Sequence, residues 1–318
     1  MNLLNILINP DTHIWDRILK TTVNMYLSDP YNIVYKGIYA VADRRHEYVE
    51  IMEHSSCYGG SAWALYHYSK SPLVIKSRAV GDMMRYLVRC GNSDLDLRSS
   101  VAAAGIESVV INDNEIEITY SGLGGGGVGA TTCRAFANGV LRCRVSESGG
   151  GKRASGTIIV PRRERVLVGI DNTDSKEVGA TWTLAHNIAA AVDSIESKYI
   201  SHTLVQLYPV PDKTQNCVAT VLEFACMDGA KKSLIEKIKE GLEEYSVSSE
   251  TGMVALADFD ASSLAEYSRL CRSGMITKEL TIKTARESGV EICIGGKGII
   301  GALAALPWFS RNDESVAL

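Results

Sequence analysis

Apolar residues recur along this chain with two periods, and the alternation between them predicts a mixed α and β protein. Ile14, Ile18, Val23 and Tyr26 fall at helical spacing within residues 1–30. Tyr35 to Ala42 and Tyr48 to Glu53 read as paired strands about the charged turn Asp43–His46. Trp63, Leu65, Tyr66 and Tyr68 predict a helix, Pro72 to Ile75 a strand, and Asp82 to Cys90 a helix with Met83, Met84, Leu87 and Val88 inward. Glu115 to Tyr120 alternates strictly, as a half-exposed strand does. Gly122 to Gly129 leads into a helix expected to run to Val140.

In the second half, Val166 to Val168 is a short apolar run of buried-strand type. It passes through Gly169-Ile170-Asp171-Asn172-Thr173-Asp174-Ser175 into a helix over Val178 to Asp193, marked by Trp182, Ala185, Ala189 and Val192. Strands are expected at Thr203–Tyr208, Val218–Phe224 and Met253–Leu256. Between and after them lie an amphipathic helix carrying Leu234, Ile238, Leu242 and Tyr245, and a helix with Leu264, Tyr267 and Cys271, capped by Asp260. Thr277 opens a further helix that ends near Gly289. Ile292 to Ile294 then meets Gly295-Gly296-Lys297-Gly298 and a small-residue apolar helix, and Asn312 to Leu318 reads as a frayed tail.

Charge and cysteine usage narrow the classes. A net charge of −4 gives no global basic field to draw nucleic acid or an anionic membrane. The 8 cysteines include no C-x-x-C pair and do not cluster with the 6 histidines, so no zinc site is expected. No apolar stretch reaches the ~20 residues of a membrane span. A cytoplasmic protein is expected.

Two patterns point to phosphate chemistry, each with a structural reading beside it. Asp171 and Asp174 in a strand-to-helix turn can hold magnesium, which takes one or two carboxylates plus phosphate oxygens and water; the same residue types also serve any turn and helix cap. The run around Gly124 and Gly126 can bare backbone N–H groups to a phosphate, or can simply make an awkward turn. It has no Lys-Ser or Lys-Thr to close a P-loop. Arg162, Arg163 and Arg165, before the acidic turn, read either as anion contacts or as solvated edge charges. Cys57 beside His54 reads better as a core cysteine than as a nucleophile.

Three stretches in order carry a resemblance: Gly169 to Ser175, the Lys213-Thr214 turn after Pro209 and Pro211, and Gly295-Gly296-Lys297-Gly298-Ile299-Ile300-Gly301-Ala302-Leu303-Ala304-Ala305. They resemble the kinase-like half of the archaeal agmatinylcytidine synthetase that modifies an isoleucine tRNA. With Cys57 to Ser61 and the Gly122 run ahead of them, the whole chain looks like the methanogenesis marker protein 11 family, which implies a methanogenic archaeal source. The resemblance implies ATP and Mg2+ as cofactors, with Asp171 and Asp174 as metal ligands and Thr181 and Lys297 completing the catalytic set. Gly169, Thr173, Ser175, Gly179, Lys213, Gly296 and Gly298 would surround the nucleotide, joined by Gly124 and Gly126. Three departures stand out: Asn172 replaces a second consecutive aspartate, Gln215 an arginine, and Lys297 an arginine whose bidentate fork is lost.

The fold class expected is α+β (mixed α/β), with two domains across a nucleotide cleft: residues 1–148, a Gly-rich linker 149–156, an ATP-binding kinase-like unit 157–310 and a tail 311–318. The function expected is Mg-ATP-dependent phosphoryl or nucleotidyl transfer to an unknown acceptor in methanogen metabolism. The alternative is a non-catalytic assembly or maturation factor for methyl-coenzyme M reductase, with a methanogenesis enzyme as partner. The synthetase's OB-fold and zinc-ribbon modules find no counterpart, so nucleic acid is expected not to be the substrate, and no membrane association is expected.

Overall fold

The computed structural model describes residues 32–211 and 213–318, so the helix expected within residues 1–30 lies outside the described residues. In chain order the first half holds β1 (Gly37–Ala42), β2 (Tyr48–His54), α1 (Tyr58–Tyr68), β3 (Val74–Val80), β4 (Met83–Arg89), β5 (Gly91–Asn92), β6 (Ala104–Asn112), β7 (Glu115–Leu123), α2 (Gly125–Ala130), α3 (Thr132–Ala135) and β8 (Arg142–Val145). Then come β9 (Arg153–Asp171), α4 (Thr181–Val192), β10 (Ser197–Gln206), β11 (Val218–Cys226), α5 (Lys231–Tyr245), β12 (Gly252–Ala257), α6 (Ala265–Ser273), α7 (Lys278–Glu287), β13 (Glu291–Gly295) and α8 (Ile299–Ala305). The α+β class is as the periodicity predicts.

Strand β9 organises the molecule. Its first half pairs with β7 and β8, Arg162 and Arg163 meet β1 in parallel, and Val166 to Ile170 lie between β11 and β12. Val166, Val168 and Ile170 turn to one face, against α4 and α5, while Leu167 turns to the other, against α8. A strand covered on both faces needs an unbroken apolar run, which explains why this segment does not alternate. Gly169 has a packing reason: a Cβ there would lie 2.1 Å from the Ala302 carbonyl oxygen, so α8 can rest directly on the strand only if residue 169 is glycine.

Four expectations are corrected. Asp82 to Cys90 is strand, not helix: β4 sits between β2 and β3 with Met84, Tyr86 and Val88 in one core and Met83 in another, so both faces are buried and the period of two is masked. The glycines 125–127 are themselves helical, and no helix runs from Ala130 to Val140. The smallness of Gly122 lets β7 meet them, since a Cβ on Gly122 would stand 2.4 Å from the Gly126 oxygen. Residues 149–156 are not a free linker, for Gly149 and Gly150 turn the β8–β9 connection at positive φ and Arg153 to Gly156 are already strand. The last residues are not frayed: Gln206 N donates to Ser315 O at 3.0 Å, Asn312 Nδ2 donates to Thr203 Oγ1 at 2.6 Å, and Ser315 is buried.

Of the arginines before the acidic turn, Arg163 and Arg165 are internal ties, not ligand contacts. Arg165 is buried and bonds Glu223, Glu50 and the Phe259 carbonyl. Arg85, on β4, reaches the same Glu223, so four charges from β2, β4, β9 and β11 close a network between the two halves. Arg163 donates to the carbonyls of Ile195 at 2.7 Å and Ala225 at 3.0 Å. Arg162 meets His46 Nε2 at 2.8 Å on the surface.

Candidate functional site

The site forms where β9 runs out. Asp171 is its last residue, opposite Gly252 of β12, and Asn172 then takes φ +61, a left-handed conformation that asparagine tolerates better than most residues. Asn172 N donates to Asp171 Oδ1 at 2.8 Å. Thr173 donates from both N and Oγ1 to Thr181 Oγ1 at 3.1 Å, tying the turn to the first residue of α4. Ser175 Oγ accepts the N–H groups of Glu177 and Val178, and Gly179 completes the turn at φ +92.

A second loop clamps this one. Thr214 Oγ1 donates to Asp174 Oδ1 at 2.8 Å, and Gln215 Nε2 donates to the carbonyls of Ser175 and Gly179, each at 3.0 Å. The clamp shows what Gln215 does in place of an arginine: a neutral amide spans two carbonyl oxygens. Thr214→Val removes one bond to a buried carboxylate, and we expect it to lower stability by about 1–3 kcal/mol. Urea denaturation of the two proteins checks this.

The closing motif supplies the third side. Glu250 O accepts Gly298 N at 2.9 Å, Glu250 Oε2 accepts Lys297 N at 2.8 Å, and Thr251 O accepts Gly296 N at 3.0 Å. A Cβ on Gly301 would lie 2.0 Å from Asp171 Oδ2, and one on Gly298 2.4 Å from the Asp171 carbonyl oxygen. Glycines at 298 and 301 therefore let α8 lie directly against Asp171. These contacts frame a cavity of about 680 Å3, lined by Asp171, Asn172, Lys297 and Gly298 at one end and by Tyr208, Lys213, Met275 and Lys278 elsewhere.

Burial pushes the Asp171 carboxyl up to about 7; the Asn172 N–H opposes the rise and the Asp174 charge adds to it. Among the described residues no cationic side chain pairs with Asp171, and no group of three or more His, Cys, Asp or Glu is placed to hold a metal by itself. A carboxyl left without a counter-ion, with a second carboxylate close enough to raise it further, fits a hard cation that brings its own phosphate and water ligands.

The structure gathers Asp171, Lys213, Lys297 and Gly298 on this one cavity. Asp174 stands behind it, held by Thr214; Thr173 and Thr181 are buried hydroxyl partners; Ser175 and Gly179 shape the adjoining turn; Gly296 secures the closing turn. Gly169 packs under α8 and lies off the cavity. Gly124 and Gly126 line a separate cavity of about 500 Å3 with Trp63, Ser99 and Gly150. The described residues that line the main cavity all fall between 171 and 301. Sequence reasoning missed Glu250 and Lys278, neither of which stands in a motif; the roles of Gly252, outside any motif, and of Gly301, inside the closing one, are legible only once their neighbours are known.

Residues 167–296 match the family model of the TiaS TCKD domain. Over 282 residues the chain is 41% identical to the uncharacterized protein MJ0921 of Methanocaldococcus jannaschii, covering 86% of this chain and 94% of that one, and it belongs to the same family. Among solved structures, a complex of TiaS with its tRNA and ATP is similar at 25% identity over 45% of this chain, with a TM-score of 0.42. A tRNA fluorescent labeling enzyme is similar at 25% identity over 45%, with a TM-score of 0.41. The chain spans 36% of the length of each of those two. Among the described residues no helix is long and apolar enough to cross a membrane.

Proposed function

We propose that this protein binds ATP with a divalent cation at the Asp171 end of the cavity and transfers a phosphoryl or nucleotidyl group to an acceptor. The observation that carries the reading is Asp171: a carboxyl pushed up to about 7 by burial, with no cationic side chain paired to it among the described residues, in a domain that matches the TiaS TCKD model. Asp171 and Asp174 would hold Mg2+, which when bound offsets triphosphate charge. The turn of Thr173, Ser175 and Gly179 and the turn of Gly296 and Gly298 surround the phosphates, and Lys297 offsets charge developing on the transferred group. Thr181, whose hydroxyl already accepts from Thr173, is held in place to shape that turn or to receive the group. Residues 157–310 are the ATP-binding unit in this reading, and the acidic balance does not exclude RNA as acceptor, because the matching domain is that of a tRNA-modifying synthetase.

The elevated Asp171 carboxyl sets a pH dependence. A cation must displace the proton that Asp171 holds below about pH 7, so Mg-dependent ATP affinity weakens as pH falls through 7. Calorimetric titration at pH 8, 7 and 6 measures it, and an affinity independent of pH would contradict the assignment. Chromatography of ATP incubations then separates ADP from AMP and decides between the two transfer reactions.

A second reading is a non-catalytic assembly or maturation factor in a methanogen's cytoplasm, linked to methyl-coenzyme M reductase. Asn172 favours it, because its amide reaches the Glu250 carbonyl at 3.4 Å where a carboxylate would otherwise serve the cation. An anaerobic pull-down that recovers a stoichiometric reductase complex, with no nucleotide turnover, would support it.

A further inference from the structure

We propose that the acceptor in this cavity is a small organic anion with an apolar body, held by Lys278; the proposal rests on the nucleotide reading of the Asp171 end. Lys278 is the first residue of α7, behind the cap in which Leu280 N donates to Thr277 Oγ1 at 3.3 Å. It is half-buried and lines the cavity, and among the described residues no carboxylate pairs with it. Of the lysines on open helix faces, Lys239 pairs with Glu236 and Glu243 and Lys283 with Glu287, while Lys232 and Lys237 stand in open solvent and Lys231 is half-exposed at the start of α5; Lys278 is set apart by lining a cavity. A partly desolvated ammonium without a counter-ion in a concave site is completed by an anion.

The rest of the lining agrees. Glu250 is engaged by the Lys297 N–H, Asp171 is assigned to the cation, and Glu279 is exposed. Lys213 lines the cavity as well and adds a second positive charge without an ion-pair partner among the described residues. Tyr208, Val210, Met275 and Ile276 give the apolar surface for the body of the molecule. A cavity of about 680 Å3 accommodates a nucleotide and a small second ligand. Among the described residues no histidine lines it, which suits a nucleophile that arrives already deprotonated. An oxygen of the anion attacks a phosphorus of ATP; the new O–P bond forms as the bond to the bridging oxygen breaks. That oxygen leaves with the electron pair, on ADP or on pyrophosphate, and no proton has to be removed.

The test is calorimetric titration of phenyl phosphate, benzoate and benzylamine into full-length protein saturated with Mg2+ and a non-hydrolysable ATP analogue. The same titrations are run on Lys278→Met, which keeps the apolar stem, after circular dichroism shows it folded. The expected result is that phenyl phosphate or benzoate binds, that Lys278→Met weakens it about tenfold or more, and that the analogue binds both proteins equally. Binding of benzylamine alone, or of no probe, overturns the proposal. So does an analogue affinity that falls with Lys278→Met, which assigns the lysine to the triphosphate, and so does Lys278-dependent displacement of the probe by an RNA oligonucleotide. If the wild type binds no nucleotide yet binds phenyl phosphate through Lys278, the anion site stands and the nucleotide reading fails.

Discussion

Asp171→Asn is expected to abolish cation-dependent ATP binding and, at the same time, to make the folded protein more stable above neutral pH. The folded carboxyl keeps its proton to about pH 7, against 3.8 for the free group. Between those values the folded state binds more protons than the unfolded one, so stability contributed by this group is fully present below the unfolded value and falls as pH rises. Above about 7 the folded protein carries the penalty of a half-buried, unpaired charge, discounted because Asp171 borders an open cavity. Asparagine has nearly the same shape and no charge to bury. We expect its melting temperature at pH 8 to rise by about 3 °C or more, with the gain shrinking toward pH 4. Scanning calorimetry at both pH values reads the difference, and a variant no more stable at pH 8 would show that burial of Asp171 is not a source of strain. The opposite signs matter because general damage to the fold lowers stability and binding together.

Glu223→Ala is expected to cause the largest loss of stability of any single change to the junction between the halves. Burial alone would raise the Glu223 carboxyl, but Arg85 and Arg165 outweigh it and hold the group at about 2. Ser201 Oγ adds a bond at 2.7 Å. Alanine leaves two buried guanidinium groups facing an empty space, a change that costs about 3–5 kcal/mol, a large part of the roughly 5–15 kcal/mol that holds a typical protein folded. Urea denaturation measures it. A loss below about 1 kcal/mol would mean that Glu50 alone satisfies both arginines. This network also explains why β9 can pass from one sheet region to the next: the strand crosses from an apolar core to another through a layer in which two arginines meet two glutamates.

Much of this was legible in the chain. The apolar runs at Val166 to Val168 and Val218 to Phe224 and the amphipathic pattern of Leu234, Ile238 and Leu242 each define one element without reference to a partner, and each forms where the pattern places it. β4 was illegible because both its faces are buried, so its sequence carries no alternation to distinguish it from a buried helix. The run at Gly122 to Gly127 was illegible in another way: glycine opens backbone to a phosphate and equally admits a neighbouring segment, and the 2.4 Å approach of Gly126 gives the packing reason at Gly122 alone. At the cavity, Asp171, Lys213, Lys297 and Gly298 come from motifs, whereas Glu250 and Lys278 line it through their place in the fold alone. Their neighbours, up to 79 residues away in sequence for the contact of Thr251 with Asn172, come together only through the pairing of β9 with β12.

The central claim is that the Asp171 end of the cavity binds ATP through a divalent cation. Calorimetric titration of ATP, with and without Mg2+, into the wild type and an Asp171→Asn/Asp174→Asn double variant tests it most directly. The account predicts Mg-dependent binding to the wild type at pH 8 and none to a folded double variant. Undiminished Mg-ATP binding by the double variant would contradict it.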